Sequence, residues 1–111
     1  QNTSSKPVYS ASTAKAWALF NGNAGTVTNS FNVSSVTRVG TGDYQVNFTN
    51  AMSSTNLTIL VGTNTNTSGG FNVWYSQVNS TSQIEMFFYS IAGGGSGAFR
   101  DVTQVSVGVF A

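Results

Sequence analysis

The chain has 111 residues, which is enough for one domain with a hydrophobic core. Only 6% of the residues are charged, against about 25% in ordinary globular domains, and Ser, Thr and Asn take the place of charge. A net charge of +1 is too small for binding through nucleic-acid phosphates, so we expect no nucleic-acid partner. The chain has no Cys and no His, which excludes disulfide bonds, thiolate metal sites and Ser-His-Asp catalysis.

Residues 1–14 are polar and contain the single proline, so we expect a linker or the end of a stalk before a domain at 15–111. The sequence contains no signal peptide, no basic membrane patch and no apolar run near the roughly 18 residues of a membrane span, so we expect no membrane insertion. Because the chain begins at Gln1 and not at Met, we expect it to be part of a longer protein.

The first predicted strand covers residues 15–20, with Lys15, Trp17 and Leu19 on one face. A turn cluster follows at 21–25, and residues 26–29 are a candidate short strand that leads into Phe31.

Residues 31–49 predict a hairpin around the turn Gly40-Thr41-Gly42-Asp43. In the return strand, residues 44, 46 and 48 are apolar and residues 45, 47 and 49 are polar, which is typical of a half-buried strand. The approach strand changes parity between Val33 and Val36, and a bulge at Ser34-Ser35 would absorb the shift.

Four further strands are predicted, at residues 57–61, 71–78, 83–91 and 102–110, and they are separated by loops at 62–70, 79–82 and 92–98. In the last strand we expect Val105, Val107 and Val109 to face inward. No stretch has a helical period. About seven or eight short strands between turn clusters predict an all-β antiparallel sandwich, jelly-roll-like in organisation.

The strand at 83–91 carries large apolar side chains on both faces. One face, with Ile84, Met86 and Phe88, can pack in the core, whereas Phe87, Tyr89 and Ile91 need a second cover. We expect a neighbouring subunit to provide it, and loops of the same chain are the alternative.

Three segments resemble a domain that recurs at the C-terminus of tailed-bacteriophage tail fibres and related virion proteins: KAWALFNG (15–22), SFNVSSVTRVGTGDYQVNFTNAM (30–52) and RDVTQVSVGVF (100–110). Leu19 and the Arg38-Val39 pair depart from that family's pattern, and residues 57–98 match it only loosely. The resemblance implies a β-rich, usually trimeric fibre-tip domain on a virion, extracellular when assembled. It implies no catalytic residues.

Candidate catalytic groups are few. The three acids are Asp43, Glu85 and Asp101, and a glycosidase would need two of them across a cleft. Glu85 and Asp101 would meet if their strands pair. The simpler interpretations are a turn residue for Asp43 and a charge pair between Asp101 and Arg100. We therefore expect no enzyme, no metal and no cofactor.

Candidate receptor contacts are Trp74, Asn64, Asn66 and Arg100, together with the loops 62–70 and 92–100. Trp74 shares a strand face with polar neighbours, which suits a sugar-stacking platform or a subunit contact, and packing under a loop is the alternative. The amides of Asn64 and Asn66 suit sugar hydroxyls, and ordinary turn roles explain them equally well. We expect a homotrimer that attaches to a host-surface glycan. The alternatives are a purely structural trimerising or capping domain, and a carbohydrate-binding module or adhesin of cellular origin.

Overall fold

The computed structural model describes residues 13–63, 71–91 and 97–111, with the side chains of all but Phe71, Asn72 and Ile91. None of these residues belongs to a helix that is long and apolar enough to cross a membrane. The strands are β1 Ala16–Asn21, β2 Thr26–Phe31, β3 Val33–Gly40, β4 Asp43–Phe48, β5 Thr58–Thr63, β6 Phe71–Ser80, β7 Gln83–Ile91, β8 Gly97–Phe99 and β9 Gln104–Phe110.

Two antiparallel sheets form the domain, which confirms the predicted sandwich. The first sheet has the order β2-β1-β9-β5. The second has the order β3-β4-β7-β6, and β8 pairs with the end of β7. Strand β8 lies at the end of a segment predicted as loop, because three residues are too few for an alternating pattern to be recognised.

The core lies between the sheets and is built from alternate positions of β1, β4, β7 and β9. Ile84, Met86 and Phe88 are fully buried, as their shared parity predicts. Val105, Val107 and Val109 also face inward as predicted. The remaining buried apolar residues are Ala16, Ala18, Phe20, Tyr44, Val46, Phe48, Met52 and Val102.

Asn32 is the point at which the chain passes from one sheet to the other. Phe31 ends β2 in the first sheet and Val33 begins β3 in the second, so the hairpin predicted over 31–49 does not include Phe31. Asn32 has a φ of 57°, a left-handed conformation that Asn tolerates better than most residues. The polar-apolar alternation of the sequence continues through this corner, so the sequence pattern gives no sign that one strand ends and another begins here.

The predicted bulge in β3 is confirmed, since the register with β4 shifts between Val33 and Ser35. The hairpin turn also forms where predicted. Gly42 has a φ of 69°, and a Cβ at this position would lie 2.6 Å from the Phe88 carbonyl oxygen and 2.7 Å from that of Arg100. The turn therefore packs against β7 and the end of β8, which holds Asp43 beside β7.

Candidate binding face of the second sheet

The outer face of the second sheet is divided into an aromatic half and a polar half. Tyr75 on β6 stacks on Phe87 of β7, with ring centroids 4.6 Å apart and planes 17° apart. Tyr89 on β7 meets Phe99 of β8 edge to face at 5.3 Å. We call these four residues the aromatic strip. Tyr75 is 54% exposed and Phe99 is 45% exposed, so the strip presents ring surface to solvent.

Strand β7 receives part of its second cover from its own chain. Phe87 and Tyr89 are half-buried, because Tyr75 and Phe99 pack on them from the neighbouring strands. This arrangement resembles the alternative in which the same chain covers the strand, except that strands and not loops supply the rings. A subunit contact through Phe87, Tyr89 and Ile91 stays a prediction, and the side chain of Ile91 lies outside the described residues.

The polar half of the face is a network of amides around Glu85. Asn79 donates to Glu85 at 2.9 Å and to Gln83 at 2.7 Å, and Gln83 donates to Asn47 at 2.8 Å. Gln45 donates to Glu85 at 3.5 Å from the other side. The side chain of Glu85 is thereby fixed, although it is buried and has no cationic partner within the described residues.

Asp43 lies beside Glu85 at the boundary between the two halves. Strand β4 pairs with β7 so that Asp43 faces Phe87 and Gln45 faces Glu85, which places the two acids diagonally on one face. Asp43 Oδ1 is buried without a hydrogen-bond partner. Burial, and then the hydrogen bond and charge of Glu85, raise the pKa of Asp43 to about 6. Hydrogen bonds from Asp43 and then Asn79 lower the pKa of Glu85, so the proton of the pair resides on Asp43.

A small cavity connects the acid pair with the aromatic strip. Its volume is about 160 Å³, and it is lined by Gly40, Thr41, Asp43, Phe87 and Phe99. Sites for whole small molecules usually measure about 300–1,000 Å³. This cavity therefore suits one projecting group of a ligand whose remainder lies along the open face.

Asp101 belongs to a different group, at the end of the sandwich. The Arg38 guanidinium donates to both of its carboxylate oxygens, with the shortest distance 2.7 Å, and the Gly42 N–H donates at 2.9 Å. The Tyr44 hydroxyl lies 2.9 Å from Asp101 Oδ1 and also reaches the Gly22 carbonyl. Burial raises the pKa of Asp101, but these donors outweigh it and the net shift is downward. The predicted charge pair with Arg100 was therefore wrong, because Arg38 occupies that role.

The strand pairing that would have brought Glu85 to Asp101 is not observed. Glu85 contacts Asp43 and not Asp101, because β4 and not the segment before β9 lies beside β7. Retaining glycosidases hold their two carboxyl groups about 5–5.5 Å apart, with the sugar between them. Asp43 and Glu85 instead interact with each other through a hydrogen bond. No cluster of three or more metal-ligating side chains occurs in the described ranges.

The predicted receptor residues are not brought together. Trp74 packs over the core residue Phe88, with centroids 6.2 Å apart, and so lies on the opposite side of β6 from Tyr75. It is still 42% exposed. Arg100 is exposed at the end of β8, next to Phe99, and its backbone N–H donates to Phe88. Asn64 and Asn66 lie outside the described residues.

The sequence reasoning missed Tyr75, Phe99 and the pairing of Asp43 with Glu85. Alternation along the strand puts Tyr75 on the face opposite Trp74, which is where it lies, but it does not show which of the two faces is turned to solvent. A signal was present, since Tyr75, Phe87, Tyr89 and Phe99 are aromatic residues within three neighbouring segments. The register between β4 and β7 has no local signal, because the strands are far apart in the chain.

No protein-family model, curated protein or solved structure matches this chain. The resemblance to tail-fibre domains therefore rests on the three sequence segments alone.

Proposed function

We propose that the chain is a non-enzymatic attachment domain at the tip of a virion fibre, that it assembles as a trimer, and that it binds a host-surface glycan. The observation that carries glycan binding is the aromatic strip beside the Asp43–Glu85 pair and its amides. Exposed rings offer flat apolar surface to the C–H face of a sugar, and fixed amides and carboxyl groups accept and donate to its hydroxyls.

The open geometry favours binding over chemistry. The face is a flat sheet surface with one small cavity, so a saccharide lies on it without being enclosed. Below about pH 6 the acid pair supplies both a carboxylate acceptor and a protonated donor, and above that pH it supplies two carboxylate acceptors, which suit a neutral hydroxyl group in either state. The extracellular, virion location follows from the sequence resemblance.

A second function, trimerisation and capping of the fibre without a receptor, is favoured by a different surface. The outer face of the first sheet exposes Trp17, Phe31 and Leu60, at 38%, 53% and 58%. A cellular carbohydrate-binding module would use the same binding face as the virion protein. A fibrous stalk encoded before Gln1 supports the virion origin, and a signal peptide or an appended enzyme supports the cellular one.

Glycan binding is tested by screening the domain on an array of defined oligosaccharides and titrating the best hit in solution by calorimetry. We expect the double variant Tyr75→Ala, Phe99→Ala to weaken binding at least tenfold, since stacking rings contribute about 0.5–1.5 kcal/mol each beyond their buried area. Both rings are exposed, so the fold should persist.

The matched control is Phe31→Ala, which removes a similarly exposed ring from the other sheet and should leave the affinity for soluble glycan unchanged. The proposal fails if the wild-type domain binds no oligosaccharide, or if the Tyr75, Phe99 variant binds as tightly as the wild type. Host-cell adsorption that persists in that variant favours the capping function.

A further inference from the structure

The outer face of the first sheet is largely apolar at its centre, and Lys15 lies directly before β1 at its margin. Trp17 pairs with Phe31 on one side and with Gly108 on the other, and Gly108 pairs with Leu60, so these four residues form one row across the sheet. The next row is Asn29, Leu19, Ser106 and Gly62. Among the described strand residues of this sheet, none carries a charged side chain.

The face has a ridge and a groove. Trp17 and Leu19 stand up from β1, whereas Gly108, Ser106 and Gly62 leave β9 and the neighbouring part of β5 low. Together with Leu60, these residues line a groove of about 560 Å³. Each molecule therefore carries a convex apolar ridge next to a concave groove.

The two edge strands of this sheet contain neither Lys nor Pro. Strands β2 and β5 are the edge strands, with sequences TVTNSF and TILVGT. Proteins usually protect such edges with Lys, Pro or a bulge that turns the strand away, because the outer backbone groups otherwise pair with another chain. Strand β5 has none of these features, and β2 has only a bulge in its pairing with β1.

We infer that the outer face of the first sheet, centred on Trp17 and Leu60, binds a second copy of this chain. The inference rests on the proposed assembly and assigns its contact to this face instead of to Phe87, Tyr89 and Ile91. The strands of this face carry no charge, so copies can meet around a threefold axis without like-charge repulsion between them, and the ridge of one copy fills the groove of the next. A membrane surface would require a cluster of basic residues, and the strands of this sheet carry none.

The size of the face agrees with a contact that includes the edges. Four strands about 4.8 Å apart and six residues of about 3.4 Å span roughly 19 by 20 Å, or about 400 Å². A stable interface buries about 800 Å² on each partner. The flat face therefore supplies the core of the contact, and the outer backbone edges of β2 and β5 add to it.

The test compares the molar mass in solution of Leu60→Lys with that of Tyr75→Lys, by light scattering over a range of concentrations. The two residues are similarly exposed, at 58% and 54%, and each variant adds one positive charge to one sheet face. We expect Leu60→Lys to give single chains and Tyr75→Lys to keep the wild-type mass. Circular dichroism checks that both variants remain folded.

Trp17 gives a second readout. In a Trp74→Phe background, the fluorescence of Trp17 should shift to shorter wavelength as the concentration rises, since association removes the ring from water. Leu60→Lys should abolish that shift.

Each outcome bears on a separate claim. A wild-type protein that stays a single chain overturns both the assembly and this inference, and it leaves glycan binding to its own titration. If the wild type assembles but Tyr75→Lys dissociates it, the assembly stands and only its assignment to the first sheet is overturned. This holds whether or not Leu60→Lys also dissociates it. Assembly that survives both substitutions overturns that assignment as well.

Discussion

At the scale of single residues, the acid pair couples stability to pH. The pKa of Asp43 is raised to about 6, so the folded protein holds this proton more tightly than the unfolded chain does. The stability that this proton contributes is present at low pH and is lost as the pH rises through 6. The lowered pKa of Glu85 acts in the opposite sense, but its contribution is already present above its ordinary pKa of 4.5.

We therefore expect the free energy of unfolding to fall between about pH 4.5 and pH 6 and to stay level above that, and Asp43→Asn to remove the fall. In this variant the side-chain amide at position 43 can donate a hydrogen bond to Glu85 at every pH. At pH 8 the variant should be more stable than the wild type by on the order of 1 kcal/mol, a value reduced for solvent screening. Urea unfolding at about pH 5 and pH 8 measures the difference. A wild type that gains stability over this interval contradicts the assignment.

Asp101 joins the turn, the Arg38 side chain and the buried Tyr44 hydroxyl. We expect Asp101→Ala to lower the free energy of unfolding by about 2 kcal/mol, because partly buried donors lose their acceptor. Arg100→Ala, the neighbouring substitution, should leave the urea midpoint unchanged. If Asp101→Ala and Arg100→Ala lowered the free energy of unfolding equally, the ion pair between Arg100 and Asp101 would be supported instead.

At the scale of elements, Asn32 fixes the corner between β2 and β3. Its side-chain amide donates to the carbonyls of Lys15 and Asn50 at 3.0 and 3.2 Å, and its Oδ1 accepts from the Asn50 N–H at 2.8 Å. One residue thus provides both the left-handed backbone and the bonds that hold the loop after β4 against the start of β1.

Asn32→Gly keeps the backbone conformation and loses the side-chain bonds, whereas Asn32→Ala loses both. We expect the Ala variant to be less stable than the Gly variant by about 1 kcal/mol, the cost of a left-handed residue with a Cβ. Both should be less stable than wild type, and Asn29→Ala on the adjacent strand serves as the near-neutral control. Thermal unfolding ranks the wild type and the three variants by stability. If Asn32→Ala were as stable as Asn32→Gly, the left-handed backbone at this position would not be the cause.

The sequence predicted those elements whose signal is local. The alternation in β4 and β9, the turn at Gly40–Asp43 and the bulge in β3 all depend on neighbouring residues, and each appears where expected. The corner at Asn32 was not predicted, because the alternation passes through it. The binding face was not predicted either, since its acid pair depends on β4 lying beside β7 and its rings depend on β8.

At the scale of the whole molecule, the scarcity of charge determines how binding responds to salt. With a net charge of +1 and the strongest ion pair internal, between Arg38 and Asp101, long-range electrostatics contribute little to either proposed surface.

We expect the affinity for a neutral oligosaccharide, and the mass of the assembly, to stay constant as NaCl rises from about 0.1 to 1 M, over which the Debye length falls from about 10 to 3 Å. Calorimetry measures the affinity and light scattering measures the mass of the assembly at the two salt concentrations. A tenfold weakening would mean that charged groups carry the binding, contrary to the aromatic and amide face described above.

Strand β9 lies between β1 and β5, yet it follows every other described strand along the chain. During synthesis on the ribosome, β1 can pair with β2 early, but β5 has no partner in its own sheet until β9 emerges. A chain that terminates before Gln104 leaves the first layer in two pieces, without the floor of the groove. Only chains that include β9 would then present the complete groove beside Trp17, so truncated chains would not join the proposed assembly.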